Sequence, residues 1–236
     1  MSTAGEIQKD IETLSGVLTR IPFEWEGKQC ITRMKQTGST HWKQMEWIGF
    51  YAEFLIRGEF SKRPENSQFC LEGDVYGNVS FDLKRTINWD IKTHPNTTHG
   101  AILNDCEAMD LSLENHGHHG ILMICADCQY DTTGEFKAWH DTLKGGTSAY
   151  EQERIQRRAP SRRRKVSARL TEARFIVLDP ETIRGLNKKQ KGWRNADGNL
   201  RRGKYAISNQ QIEELTYTKI DFPIASLSTH QKIKAD

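Results

Sequence analysis

Residues 79–92 read VSFDLKRTINWDIK, and this stretch decides the fold. Val79, Phe81 and Leu83 alternate with Ser80, Asp82 and Lys84; Ile87, Trp89 and Ile91 then alternate with Asn88, Asp90 and Lys92. A period of two sends one set of side chains to each face of an extended strand. The two runs predict antiparallel strands joined by a tight turn near Arg85 and Thr86, with apolar residues on one face and polar ones on the other.

Working outward, Ile7, Ile11, Leu14, Leu18 and Ile21 recur at helical spacing before Pro22, which predicts an amphipathic N-terminal helix. Apolar residues from Trp42 to Leu55 predict a second, largely buried helix over about 41–57, ended by Gly58 and followed by the loop SKRPENSQ. Beyond Pro95, Ile102, Cys106, Met109 and Leu113 predict another helix, opened by a capping box at Asn104 and Glu107. The runs GILMICA (120–126) and FIVLD (175–179) have the length of strands covered on both faces. The expectation is an α/β (α+β) chain with a central mixed β-sheet flanked by helices.

At 236 residues the chain is long enough for one sizeable core, so we expect a single domain over 1–236. No apolar run reaches the ~20 residues of a membrane-spanning helix, and the start of the chain lacks signal-peptide features. Five cysteines, an odd number, suit reduced thiols; a cytoplasmic protein of a bacterium or archaeon is expected. Net charge is +3, but it is segregated. Residues 151–204 hold 17 Lys and Arg against 6 Asp and Glu, leaving the remainder with 17 basic and 25 acidic residues. A basic half beside an acidic half suits a polyanion surface joined to a site that gathers carboxylates for a divalent metal.

Asp90 and Lys92 lie two apart on the second strand, so their side chains leave the same face about 7 Å apart along the chain. Ile91 between them points into the core. A carboxylate beside an ammonium suits phosphodiester hydrolysis: the acid holds Mg²⁺, and the lysine orients the attacking water and offsets transition-state charge. A second acid must share the ion. Asp74, sixteen residues before Asp90, is the first candidate; Asp82 is the rival, with Lys84 completing its own D-x-K and Asp74 or Glu72 as partner. Glu46 and Glu53, seven apart on the predicted second helix, are candidates for a further carboxylate, with Glu46 preferred.

Asp74 followed by Asp90-Ile91-Lys92 on an alternating hairpin, then a helix and a buried strand, resembles the core of the PD-(D/E)xK nuclease superfamily. The segments INWDIKTHP, ILNDCEAM, WHDTLKGG and RRAPSRRRK look more narrowly like bacterial type II restriction endonucleases. The usual proline before the first aspartate is replaced by Gly73, which leaves that aspartate's identity open. The resemblance implies a restriction-endonuclease-like core over about 41–180 and Mg²⁺-dependent cleavage of double-stranded DNA at a short specific sequence. It also implies a homodimer and a cognate DNA methyltransferase as genetic partner. Asp74, Asp90, Lys92 and Glu46 are then the catalytic set, with Asp74, Asp90 and Ile91 at the metal. Basic excursions at about 150–170 and 184–206 would contact DNA through Arg157, Arg158, Arg162, Arg163, Arg164 and Lys165, and through Trp193, Asn195 and Arg201.

Other signals point elsewhere. Cys125 and Cys128 form C-x-x-C, but residues three apart on a strand face opposite ways. His116, His118 and His119, with Cys106, offer a zinc set. His94 is expected to be a satisfied strand-end histidine. No Gly-rich phosphate loop or nucleophile elbow occurs. Two alternatives stand beside the restriction enzyme: a PD-(D/E)xK repair or recombination nuclease reading DNA structure, and a non-catalytic DNA-binding protein with structural carboxylates.

Overall fold

A computed structural model describes residues 2–62, 75–76, 79–158, 163–190, 192 and 200–223. Its centre is a mixed sheet built on β7 (His119–Tyr130) and β8 (Lys165–Leu178), which pair antiparallel over nearly their whole length. On one side β7 takes β5 (Asn88–Pro95) in parallel, and β5 takes β4 (Leu83–Lys84) antiparallel. On the other, β8 pairs with both β1 (Glu24–Glu26) and β11 (Thr216–Asp221). A second, three-stranded sheet runs β6 (Gly100–Asp105), β10 (Lys204–Ser208), β9 (Asn187–Lys189), and β2 (Val75–Tyr76) pairs with β3 (Val79–Ser80). The α/β expectation of a mixed sheet flanked by helices holds.

The central sheet is covered on both faces, which explains why its inner strands lack polar alternation. Trp89, Ile91, Leu122, Ile124 and Phe175 pack in one core with helices α1 (Ala4–Leu18), α2 (Gly27–Gln36) and α3 (Trp47–Ser61). Ile121, Met123, Cys125 and Ile176 pack in a second core with α4 (Cys106–His116), the small sheet and α7 (Asn209–Leu215). Helices α5 (Glu135–Leu143) and α6 (Ala149–Gln156) occupy the excursion between β7 and β8. Cys125 and Cys128 face different cores, as their spacing predicts.

Four local expectations are corrected. The first strand of the hairpin does not run unbroken from Val79 to Lys84: the chain bends at Asp82 between β3 and β4, so Phe81 packs in the second core and Leu83 in the first. The second predicted helix is broken: a 3₁₀ turn, Thr40–Lys43, precedes an extended Gln44, and α3 starts only at Trp47. Gly58 lies inside α3, because the helix runs on to bury Phe60 completely; packing outweighs the glycine's helix cost of about 1 kcal/mol. Ile102 is no helix residue. It sits on β6, largely exposed, and α4 begins after the cap Asp105, whose carboxylate accepts from the Ala108 amide at 3.4 Å. Helix α2 was not anticipated, although Cys30, Ile31 and Met34 carry its buried stripe.

The hairpin turn is locked from outside the sheet. Asp10 on α1 is buried; it accepts from Arg85 Nε at 3.1 Å, from the Thr86 amide at 2.9 Å and from Trp89 Nε1 at 3.1 Å. One carboxylate therefore fixes the turn predicted at Arg85 and Thr86 and the strand that follows it.

Candidate active site

β5 splits its side chains as the alternation demands. Trp89 and Ile91 enter the first core, while Asp90 and Lys92 project from the opposite face with Lys92 Nζ 3.7 Å from Asp90 Oδ1. That face is not solvent. Asn88 and Asp90 are buried as deeply as Trp89 between them, so charge on Asp90 must be compensated locally. Asn104 Nδ2 donates to its Oδ1 at 3.3 Å, and His119 Nε2, from the first residue of β7, lies 3.6 Å from its Oδ2. That last separation exceeds a hydrogen bond, and Oδ2 has no hydrogen-bond partner among the described residues. Behind His119, Nδ1 lies 3.2 Å from Ser112 Oγ, to which Asn88 Nδ2 donates at 3.0 Å.

The second acid at this point is Asp82. The β4–β5 register, Leu83 opposite Trp89 and Lys84 opposite Asn88, extends to set Asp82 against Asp90, and Asp82 Oδ2 accepts from the Ile91 amide at 2.7 Å. Burial and the neighbouring Asp90 charge push the Asp82 carboxyl up to about 7, against the opposing pull of Lys92. For Asp90, burial also favours the neutral form, but Lys92, His119 and Asn104 outweigh it and hold the carboxyl below its ordinary range. Lys92 is partly desolvated, yet the paired acids raise its pKa and keep it an ammonium. Two carboxylates with opposed shifts, beside one cation that pairs with Asp90 and acts by charge on Asp82, are the arrangement expected where protonation is tuned for chemistry.

Asp82 opens the pair to solvent. It lines a cleft of about 540 Å³ together with Glu53, Phe50, Phe54 and Arg57. Glu53 ion-pairs with Arg57 at 2.9 Å and its charge acts on both Asp82 and Lys92. The preference between the two helix acids is therefore reversed. Glu46 precedes α3, is more than half exposed, and pairs with Lys165; seven residues and about 10 Å of helix rise separate it from Glu53. Asp74 and Glu72 lie outside the described residues, and so do Arg162, Trp193 and Asn195. Ile91 contributes its amide to Asp82 while its side chain stays in the core.

The predicted DNA contacts divide. Arg157, Arg158 and Arg163 are exposed, Arg157 pairing with Glu153. Arg201 is half-buried. Arg164 is buried beside Asp141, and Lys165 is engaged by Glu46; neither presents an open cation on the outer surface. The histidines do not gather with Cys106 for zinc: among the described residues no group of three or more His, Cys, Asp or Glu side chains converges to hold a metal, and His119 belongs to the Asp90 network. His94 is satisfied by Thr98 Oγ1 at 3.1 Å. Sequence reading missed His119 and Asn104 as neighbours of Asp90; the only signal was an Asn and a His adjoining predicted elements. Compared with protein-family models, with curated proteins and with solved structures, the chain matches none.

Proposed function

We propose that this protein is a Mg²⁺-dependent deoxyribonuclease that hydrolyses phosphodiester bonds in double-stranded DNA, with Asp82, Asp90 and Lys92 as its working groups. The observation that carries the reading is the trio's geometry: Asp90 on β5, Asp82 at the bend before β4 accepting from the neighbouring Ile91 amide at 2.7 Å, and an ammonium two residues along, 3.7 Å from the buried acid. The donor set suits a hard cation, being carboxylate oxygens with Asp90 Oδ2 buried and lacking a hydrogen-bond partner among the described residues. We take Asp82 as the first acid among the described residues, which do not include Asp74, with Glu53 beside the pair across the cleft.

When bound, the ion supplies Lewis-acid polarisation of the scissile phosphate and neutralises its charge. Asp90 is held ionised by its neighbours, so it is ready to bind a cation without losing a proton. Asp82 has to lose one. Lys92 remains charged and fixed on a strand, where it positions the attacking water and offsets the growing negative charge of the phosphorane-like transition state. The order helix, hairpin, D-x-K strand, helix, then a strand parallel to it supports the likeness to PD-(D/E)xK nucleases, and within that superfamily we assign a type II restriction endonuclease acting at a short specific sequence, working as a homodimer beside a methyltransferase.

Purified protein incubated with plasmid and phage DNA in Mg²⁺ is expected to produce discrete fragments, whose sequenced ends define the site. Asp90→Ala and Lys92→Ala should each lower cleavage by at least 10²-fold, since removal of one electrostatic contributor costs about 2.7–4 kcal/mol, while duplex binding by Lys92→Ala persists. Full cleavage by both variants would leave a DNA-binding protein with structural carboxylates. Preference for branched over linear substrates would instead assign a repair or recombination nuclease.

A further inference from the structure

A second pocket, away from the acid pair, has the opposite charge. It encloses about 450 Å³ between the 3₁₀ turn at Thr40–Lys43, the end of α5, the start of α6 and the entry to β8. Lys43, Lys144, Arg154 and Arg164 line it, against one lining carboxylate among the described residues, Glu151. Behind the wall, Asp141 takes Lys137 at 2.7 Å and Lys144 at 2.9 Å, and Arg164 stands 4.0 Å from it. Glu151 is met at 3.9 Å by Lys137 and at 3.9 Å by Arg154. Among the described residues two acids thus face four cations that are 6% to 24% exposed, and exposed Lys43 adds a fifth at the pocket's edge.

Arg164 makes the site more than a solvated cluster. It is 6% exposed, and its Nε, buried in the pocket wall, has no hydrogen-bond partner among the described residues. A buried guanidinium with an unused donor costs about 1–3 kcal/mol or more unless something accepts from it. The planar fork of an arginine matches the oxygens of a phosphate. Ser148, the N-cap of α6, also lines the pocket, so the positive end of an eight-residue helix points the same way.

We propose that this pocket binds a phosphate group, and that its occupant is a backbone phosphate of nucleic acid. The choice of a polymer over a small anion rests on charge continuity. Exposed Arg157 and Arg158 follow α6 and exposed Arg163 adjoins Arg164, so the positive surface continues past the pocket, as a polyanion needs and a lone phosphate does not. The proposal rests on the nucleic-acid binding in the proposed function, not on its chemistry.

The test uses the full chain and a fluorescent duplex in EDTA, where cleavage is silent, read by anisotropy across a salt series. Lys144→Gln with Arg154→Gln should weaken duplex binding tenfold or more and reduce the log–log salt slope by about 2. Arg164→Lys, which keeps the charge but loses the fork, should weaken binding with an almost unchanged slope. Asp90→Asn should bind as the wild type does, so loss of cleavage and loss of this contact are separable. Inorganic phosphate and pyrophosphate serve as competitors. Should they protect the protein thermally in a Lys144- and Arg154-dependent manner while duplex affinity is unmoved by the substitutions, the pocket is a small-anion site and the nucleic-acid occupant is wrong. With neither duplex affinity nor anion protection altered in a variant that melts as the wild type does, the cluster is an internal ion-pair network and the proposal is overturned.

Discussion

Asp82 and Asp90 show how two copies of one residue type acquire different behaviour from position. Both are drawn into the interior, but Asp90 has Lys92, His119 and Asn104 about it, whereas Asp82 faces Asp90 and Glu53. Asp82 titrates near 7 rather than 3.8, so between those values the folded chain holds a proton that the unfolded chain has released. Stability from this group is accordingly full below the ordinary carboxylate pKa and is lost as pH rises towards 7. Asp82→Asn should therefore raise the melting temperature at pH 8 without metal, by roughly 2–4 °C for each kcal/mol relieved, and should abolish any stabilisation by Mg²⁺. A lower melting point at pH 8 would show that the carboxylate is not strained. In the wild type, Mg²⁺ affinity measured by titration calorimetry should climb about tenfold per pH unit up to about 7 and then level off, with a proton released on binding below that value.

Elements β5 and β7 carry the site because their parallel pairing brings His119 next to Asn88 and fixes Asp90 between strands. That pairing depends on a missing side chain. A Cβ on Gly120 would fall inside the Trp89 indole, and Trp89 is itself wholly buried and held by Asp10. Gly120→Ala should lower stability by about 1–3 kcal/mol through overpacking, seen as an earlier urea midpoint. Gly58→Ala is the matched contrast: it lies mid-helix in α3 with open space around the new methyl, so it should gain up to about 1 kcal/mol. Were both glycines to behave alike, the packing of Trp89 against β7 would not be the reason. The same comparison explains the misplaced helix end, since Gly58 has the residue type of a terminator while Phe60, two positions on, has a core site to fill.

Across the whole molecule, charge is sorted by sequence and again by folding. The 17 basic residues of 151–204 do not all reach solvent: Arg164 lines a pocket, Arg174 is bound between Glu172 at 2.5 Å and Glu213 at 2.7 Å, and Lys165 pairs with Glu46. Among the described residues of this stretch, Arg157, Arg158 and Arg163 are the exposed arginines beside the Arg164 pocket. Duplex binding in EDTA should fall steeply between about 50 and 200 mM salt, and neutralising Arg157, Arg158 and Arg163 together should reduce the salt slope by about 3. An unchanged slope would exclude these three arginines from duplex contact.

The amino-acid order alone determined the alternation of residues 87–92, and with it the shared face of Asp90 and Lys92, and it also gave the turn at Arg85–Thr86 and the opposite facing of Cys125 and Cys128. These are consequences of a two-residue period and need no partner element. What the tertiary structure decided was which groups converge from a distance: Asp82 through strand register, Asn104 because α4 starts later than its composition suggested, His119 through parallel pairing, and Glu53 rather than Glu46 because α3 begins at Trp47. Local pattern carries direction but not proximity, and contacts between residues tens of positions apart are set by the packing of two cores around one sheet.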